Sequence, residues 1–299
     1  MMQTSLFALA LALACGHACA TSPQEETILK APMPHQAYSG GTAVMVHRAR
    51  LEGYFEGKQG NAAALAELKQ QVQKCTRDLA ASGRQLHPPT TWPDFMMLHR
   101  EDTYSAANRT IRYTSDVSYG VNYGDCSLLA PIVSKAQLVS SKGVCKIDIT
   151  SKTARGDCDL TGHADAAVAQ RAPAQPPAEL LKRLAANPAM AAALPQINKA
   201  RGYVGVRGGE RTILGVRCNV WVQPVDEQGT KATLCYATGG KFTPQQAMDQ
   251  DGMGGLLLES LTPQGFQLKA VDARLDTEVG NAVFAPYAHG FAINAGGAP

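Results

Sequence analysis

Past its first twenty residues the chain has no apolar run approaching eighteen residues, so the mature sequence offers no transmembrane helix. It also lacks a Cys-x-x-Cys pair, which removes the thioredoxin motif and the commonest zinc knuckle. Gly-x-Ser-x-Gly, Ser-x-x-Lys and His-Glu-x-x-His are all missing, so the recognisable serine-hydrolase and zinc-protease signatures fail. Charge of one sign is scarce too. Twenty-eight basic residues face 25 acidic ones for a net +3, and no Lys/Arg stripe is interleaved with aromatics. That excludes nucleic acid as a partner. At 45% hydrophobic and 18% charged residues, the composition excludes a disordered or collagen-like chain.

What is present begins with a leader. Leu6 to Ala14 is an uninterrupted apolar run, followed by Ala18-Cys19-Ala20 and then by polar Thr21-Ser22-Pro23-Gln24. A short apolar stretch before a small-x-small site predicts a signal peptide over residues 1–20 and a periplasmic or secreted protein. Lipid anchoring through Cys15 is the alternative; Ala12-Leu13-Ala14 before it departs from a lipobox. Removing the leader leaves Cys75, Cys126, Cys145, Cys158, Cys218 and Cys235. An even count in an oxidising compartment predicts disulfides, though six cysteines allow fifteen connectivities.

Asn61 to Ala81 reads as a helix, with Leu65, Leu68, Val72, Cys75 and Leu79 on one stripe, Asn61 as N-cap and Gly83 as stop. Cys75 faces the core there, either as a small hydrophobe or as a tie between helix and sheet. Thr42 to Phe55 is ambiguous. Thr110 to Tyr123 alternates over fourteen residues and predicts one long strand of a strongly curved antiparallel sheet. Ala136–Val139 and Val144–Thr150 form a predicted hairpin. The Ala/Pro-rich residues 163–200 read as an insertion with two short helices. Val216–Val222 and Ala232–Tyr236 alternate on either side of Asp226-Glu227-Gln228-Gly229, which predicts a hairpin with Cys218 nearly opposite Cys235 and a disulfide between them. Gly255 to Leu261 and Phe266 to Leu275 form a further strand pair around Thr262-Pro263-Gln264-Gly265.

The run Gly215-Val216-Arg217-Cys218-Asn219-Val220-Trp221, its Cys-bearing return strand and the closing Val283-Phe284-Ala285-Pro286-Tyr287 resemble the lipoprotein-carrier superfamily, the LolA/LolB-like half-barrels. The likeness covers residues 201–290 by motif and 91–160 by strand character. The paired cysteines and the Ala/Pro insertion depart from it. The resemblance implies an α+β fold, a curved antiparallel half-barrel with packed helices and an apolar concave surface. The expected organisation is a helical segment at 21–90 and the curved sheet at 91–299.

The expected function is non-enzymatic. An exported envelope protein would bind an apolar or lipoprotein-like ligand on the concave face, with Tyr113, Val117, Tyr119, Val121 and Tyr123 as its lining. The same row would serve equally as core under the helix, and the second reading is a structural or protein–protein interaction module without a ligand cavity. No cofactor is called for. Asp249-Gln250-Asp251-Gly252 fails as a calcium loop, because Ala247 and Leu258 would fall at its first and last ligand positions. The mature histidines are scattered with no pair one helical turn apart, so no metal site is predicted. Arg112 and Asp116 read as solvated strand charges. The leader predicts that mature protein begins at Thr21; intact-mass measurement on envelope protein checks this, and retained Met1 or a diacylated Cys15 would overturn it.

Overall fold

A computed structural model describes residues 30–55, 58–140, 142–158, 206–224, 231–242, 244, 255–263 and 265–295. The predicted leader, the 163–200 insertion, the turn at 226–229 and the expected short helix after Thr243-Pro244 lie, wholly or in large part, outside the described residues. Fourteen strands are described. They are β1 (Ala43–Phe55), β2 (Met97–Ser105), β3 (Arg109–Ser118), β4 (Gly120–Val121), β5 (Leu128–Leu129), β6 (Ile132–Ser140) and β7 (Gly143–Asp148). After these come β8 (Thr153–Gly156), β9 (Val206–Ile213), β10 (Val216–Pro224), β11 (Lys231–Ala237), β12 (Leu257–Leu261), β13 (Phe266–Gly280) and β14 (Ala292–Ala295). One α-helix, α1 (Lys58–Leu79), is present among the described residues.

Twelve of the strands form one sheet in the order β14-β8-β7-β6-β3-β2-β1-β13-β12-β11-β10-β9, while β4 and β5 pair separately. Every neighbour in the large sheet is antiparallel except β14 with β8. This corrects the expected fold class. The described residues are mostly β, with 52% strand and 17% helix, in one large mixed sheet with no closed barrel, and they do not form an α+β half-barrel packed by helices. Two local causes stand out. Thr42 to Phe55 extends as a strand next to the sheet's centre, and so does Met97–Ser105, whose run of charged residues gave no strand signal.

The local elements follow their side-chain periods. Helix α1 carries the Leu68, Val72 and Cys75 stripe into a cluster with Leu98, Val117, Tyr119 and Val121. Asn61 is no N-cap; it lies inside the helix, where Nδ2 donates to the Asp94 carbonyl at 2.7 Å and Oδ1 accepts from the Met96 amide at 2.9 Å. The fourteen-residue strand breaks after Ser118. Tyr119 bonds back to the Met96 carbonyl, and Gly120–Val121 turns away to pair with Leu128–Leu129.

Three apolar clusters result, each containing one disulfide. Cys145–Cys158 belongs to the cluster of Val46, Ile111, Tyr113, Leu138 and Phe284. Cys75–Cys126 belongs to the helix cluster and so ties α1 to the loop after β4. Cys218–Cys235 belongs to the cluster of Ala49, Leu51, Leu258 and Leu268. In the β10–β11 hairpin Cys218 lies opposite Ala237 and Val220 opposite Cys235, so the bridge is diagonal. At a sequence separation of 17, chain-entropy arguments put its contribution at about 3 kcal/mol.

From β2 to β14 the sheet has a covered and an open face. Register places Tyr104, Ile111, Leu138, Cys145 and Ala154 on the covered one, where 3-10 turns at Pro34–Tyr38, Asn281–Phe284 and Pro286–Ala288 cap them. A polar belt on the same face separates this cluster from the one under α1. Asp102, 4% exposed, accepts from Arg50 Nε at 3.0 Å and lies 2.9 Å from His35 Nδ1. Arg100 Nη1 donates to the Ala31 carbonyl at 2.7 Å.

Burial would raise the Asp102 carboxyl, but His35 and Arg50 outweigh it and hold it below its ordinary value. A depressed carboxyl gives stability that is present above the unfolded pKa and lost as pH falls through the folded one. Asp102→Ala should therefore cost about 1–3 kcal/mol near neutral pH, because it removes the carboxylate that the buried His35 ring and the half-buried Arg50 side chain both bond. The variant should also lose part of the wild type's sensitivity to acid. Urea midpoints across an acid series check both outcomes.

Candidate functional site

The open face is built by alternation and register. On β3, β6, β7 and β8 the inward residues are Ile111/Tyr113, Ala136/Leu138, Cys145/Ile147 and Ala154, so their neighbours must point outward. Strand pairing then aligns the outward residues in rows across the sheet. One row runs Thr103, Arg112, Gln137, Lys146, Arg155, Asn294; the next holds Thr114, Lys135, Asp148 and Thr153. All of these except Thr103 line a groove of about 750 Å³.

Charges in the groove are unequal. Arg112, Lys135, Lys146 and Arg155 supply four cations against the single carboxylate of Asp148. Asp148 is committed to its own strand turn. The Ser151 amide, 2.8 Å from Oδ1, the Ser151 hydroxyl and Lys135 hold its carboxyl below the usual range. Arg112 reaches both ways across β3, donating Nη2 to Gln137 Oε1 on β6 at 3.2 Å with Nε 4.0 Å from Glu101 on β2. Lys146 and Arg155 remain, directly opposite each other, and neither has an ion-pair partner among the described residues. Like charges in register across a strand pair are destabilising by about 0.2–1 kcal/mol.

Beside the groove lies a balanced cluster. His99 Nδ1 sits 2.5 Å from Asp116 Oδ1, and Nε2 sits 3.8 Å from Glu101 Oε2. Glu101 is buried and accepts from the Thr103 hydroxyl at 2.8 Å. A smaller cavity of about 110 Å³ opens here, sharing Arg112 and Gln137 with the groove. Tyr236, Leu256 and Leu257 form its opposite wall, so the sheet bends back over its open face at this point.

The five residues expected to line an apolar site lie elsewhere. Tyr113 is fully buried in the first cluster and donates its hydroxyl to the Val283 carbonyl at 2.5 Å. Val117, Tyr119 and Val121 are buried beneath α1, and Tyr123 is 64% exposed in the following loop. The structure does not bring the five together on one surface. Cys218 and Cys235 are brought together, as a disulfide. Lys135, Lys146 and Glu101 carry no motif. Their only signal is a charge at alternate strand positions, and matching those positions across strands requires the register. Among the described residues, no group of three or more His, Cys, Asp or Glu is placed to hold a metal ion.

No protein-family model and no curated protein matches this chain.

Burial alone would lower His99, but the neighbouring carboxylates of Asp116 and Glu101 outweigh it and raise its pKa from 6.5 to about 9. A raised histidine gives stability that is complete below its unfolded pKa and lost as pH rises through the folded one, here between 6.5 and about 9. The His99 ring signals in an NMR titration should therefore move near pH 9 and not near 6.5. Asp116→Asn should bring the midpoint down by about one unit or more.

Proposed function

We propose that this is an exported, disulfide-braced binding protein of the cell envelope, acting without catalysis, whose open sheet face holds an anionic ligand. One observation carries the reading: the Lys146–Arg155 pair, without an ion-pair partner among the described residues, at the centre of a groove with four cations and one committed carboxylate. A bound anion relieves that repulsion, so the groove is in better electrostatic balance occupied than empty. The three disulfides fit an oxidising environment, and no helix among the described residues is long and apolar enough to cross a membrane.

The carrier reading drawn from the half-barrel resemblance needs an open apolar lining. Four of the five residues it named are packed against the chain's own side chains, while the groove on the open face is lined mainly by charged and polar side chains. The geometry therefore favours the interaction-module side of the sequence reading, with charge as the means of recognition.

Fluorescein-labelled dextran sulfate and neutral dextran of matched length provide the test by anisotropy. Dextran sulfate should bind in a salt-sensitive manner, and Lys146→Gln/Arg155→Gln should weaken it about tenfold or more. Both side chains are exposed and repel each other, so the double variant should keep or slightly raise its unfolding midpoint. Equal, weak binding of the two dextrans by wild-type protein would sink the reading.

A further inference from the structure

The anionic ligand class can be narrowed from the small cavity at the β2 end of the groove. This step rests on the anion-binding reading of the groove itself. The two spaces share Arg112 and Gln137, so a chain lying along the cation row reaches the cavity without leaving the sheet. The cavity's chemistry is opposite to the groove's. Glu101 forms its floor with 6% of its side chain exposed. Both cations near that carboxylate stand off from it, His99 at 3.8 Å and Arg112 at 4.0 Å, while Thr103 donates to its other oxygen. A buried carboxylate repels phosphate, sulfate and carboxylate groups, and it accepts hydrogen bonds from hydroxyls.

The walls differ from each other. On the β2/β3/β6 side stand Thr103, Ser105, Thr110 and Gln137 with one apolar neighbour, Val139; on the other stand Tyr236, Pro244, Leu256 and Leu257. A space polar on one side and apolar on the other suits a group with a hydroxyl rim and a C–H face. A sugar ring has both. The cavity's volume of about 110 Å³ equals the liquid share of roughly three to four waters, which is room for the hydroxyl-bearing edge of one ring.

We infer that the ligand is an acidic oligosaccharide, its carboxylates on the Arg112–Lys146–Arg155 row and the hydroxyl edge of one sugar in the Glu101 cavity. A polyphosphate satisfies the row but has no hydroxyls for Glu101, and an acidic peptide has no ring for the two-sided walls. Glu101 therefore acts as a specificity-determining residue: it rejects a ligand that is anionic throughout and accepts one whose anionic groups are spaced by hydroxyls.

The test uses mature protein and three fluorescein-labelled probes of similar length: oligogalacturonate, polyglutamate and polyphosphate. Oligogalacturonate should bind about tenfold more tightly than the other two. Glu101→Gln and the near-isosteric Thr103→Val should each cut that preference to about threefold or less, while polyphosphate binding holds or strengthens. Unfolding midpoints identify a variant that fails through misfolding, and the wild-type ranking of the three probes stands independently of either variant. Equal binding of all three probes, or a ranking unchanged in both folded variants, overturns the saccharide assignment and leaves the cationic groove intact. Failure of all three to bind removes the groove reading and this inference together.

Discussion

The sheet depends on one buried interaction, the Asp102 carboxylate held between Arg50 and His35 near its centre. Strand β2 presents Arg100 and Asp102 to the covered face and His99 and Glu101 to the open one, so both faces of a central strand carry ionisable groups. Such a strand is tolerated only if every charge finds a partner on a neighbouring element. Arg50 comes from β1 and Asp116 from β3; His35 and the Ala31 carbonyl come from the segment leading into the sheet. That segment is held down by polar contacts at Asp102 and Arg100 and by the rings of Tyr104 and Tyr113 on either side of His35. The belt also explains why the covered face holds two apolar clusters and not one: the charged band runs between them.

Local periodicity was legible and long-range pairing was not. Helix α1, the β6–β7 hairpin, the β10–β11 hairpin and the β12–β13 pair follow from apolar residues recurring at periods of 3.6 or 2 within short windows. The Cys218–Cys235 bridge could be read for the same reason, since both cysteines lie on arms of one hairpin. Strand β2 could not be. His99-Arg100-Glu101-Asp102 has the pattern of a solvated loop, and the Arg50 partner that makes it a strand lies 52 residues away. The Tyr113 to Tyr123 row was correctly alternating and still divided among three environments, because a break at Tyr119 is set by its hydrogen bond to Met96 and not by its own pattern. The cation row stayed hidden for a related reason. Each of its members looks like an ordinary surface residue, and only the register of four strands makes Arg112, Gln137, Lys146 and Arg155 neighbours.

The two faces of the β2–β14 half divide the work. The covered face takes the large apolar side chains, among them Tyr113, which is buried without remainder, and leaves the open face free to carry unbalanced charge. Placing like charges opposite each other on a strand pair is costly locally, and the apolar layer behind it with its own disulfide offsets that cost. Under the proposed reading, stability and recognition fall on opposite sides of the same strands. Substitutions in the Lys146–Arg155 row leave the packing behind it untouched.

The pairing of β1 with β13 has a kinetic consequence. Ala43 lies opposite Gly280, and their strands run antiparallel along nearly their full lengths, so the middle of the sheet joins the two ends of the described chain. Strand β8 likewise waits for Ala292–Ala295, which add the edge strand β14. β1 can pair with β2 early, but its other edge waits until β13 has been synthesised, and closing so long a loop makes that pairing slow. The centre of the sheet is therefore completed late, and until then the chain carries an open strand edge at β1.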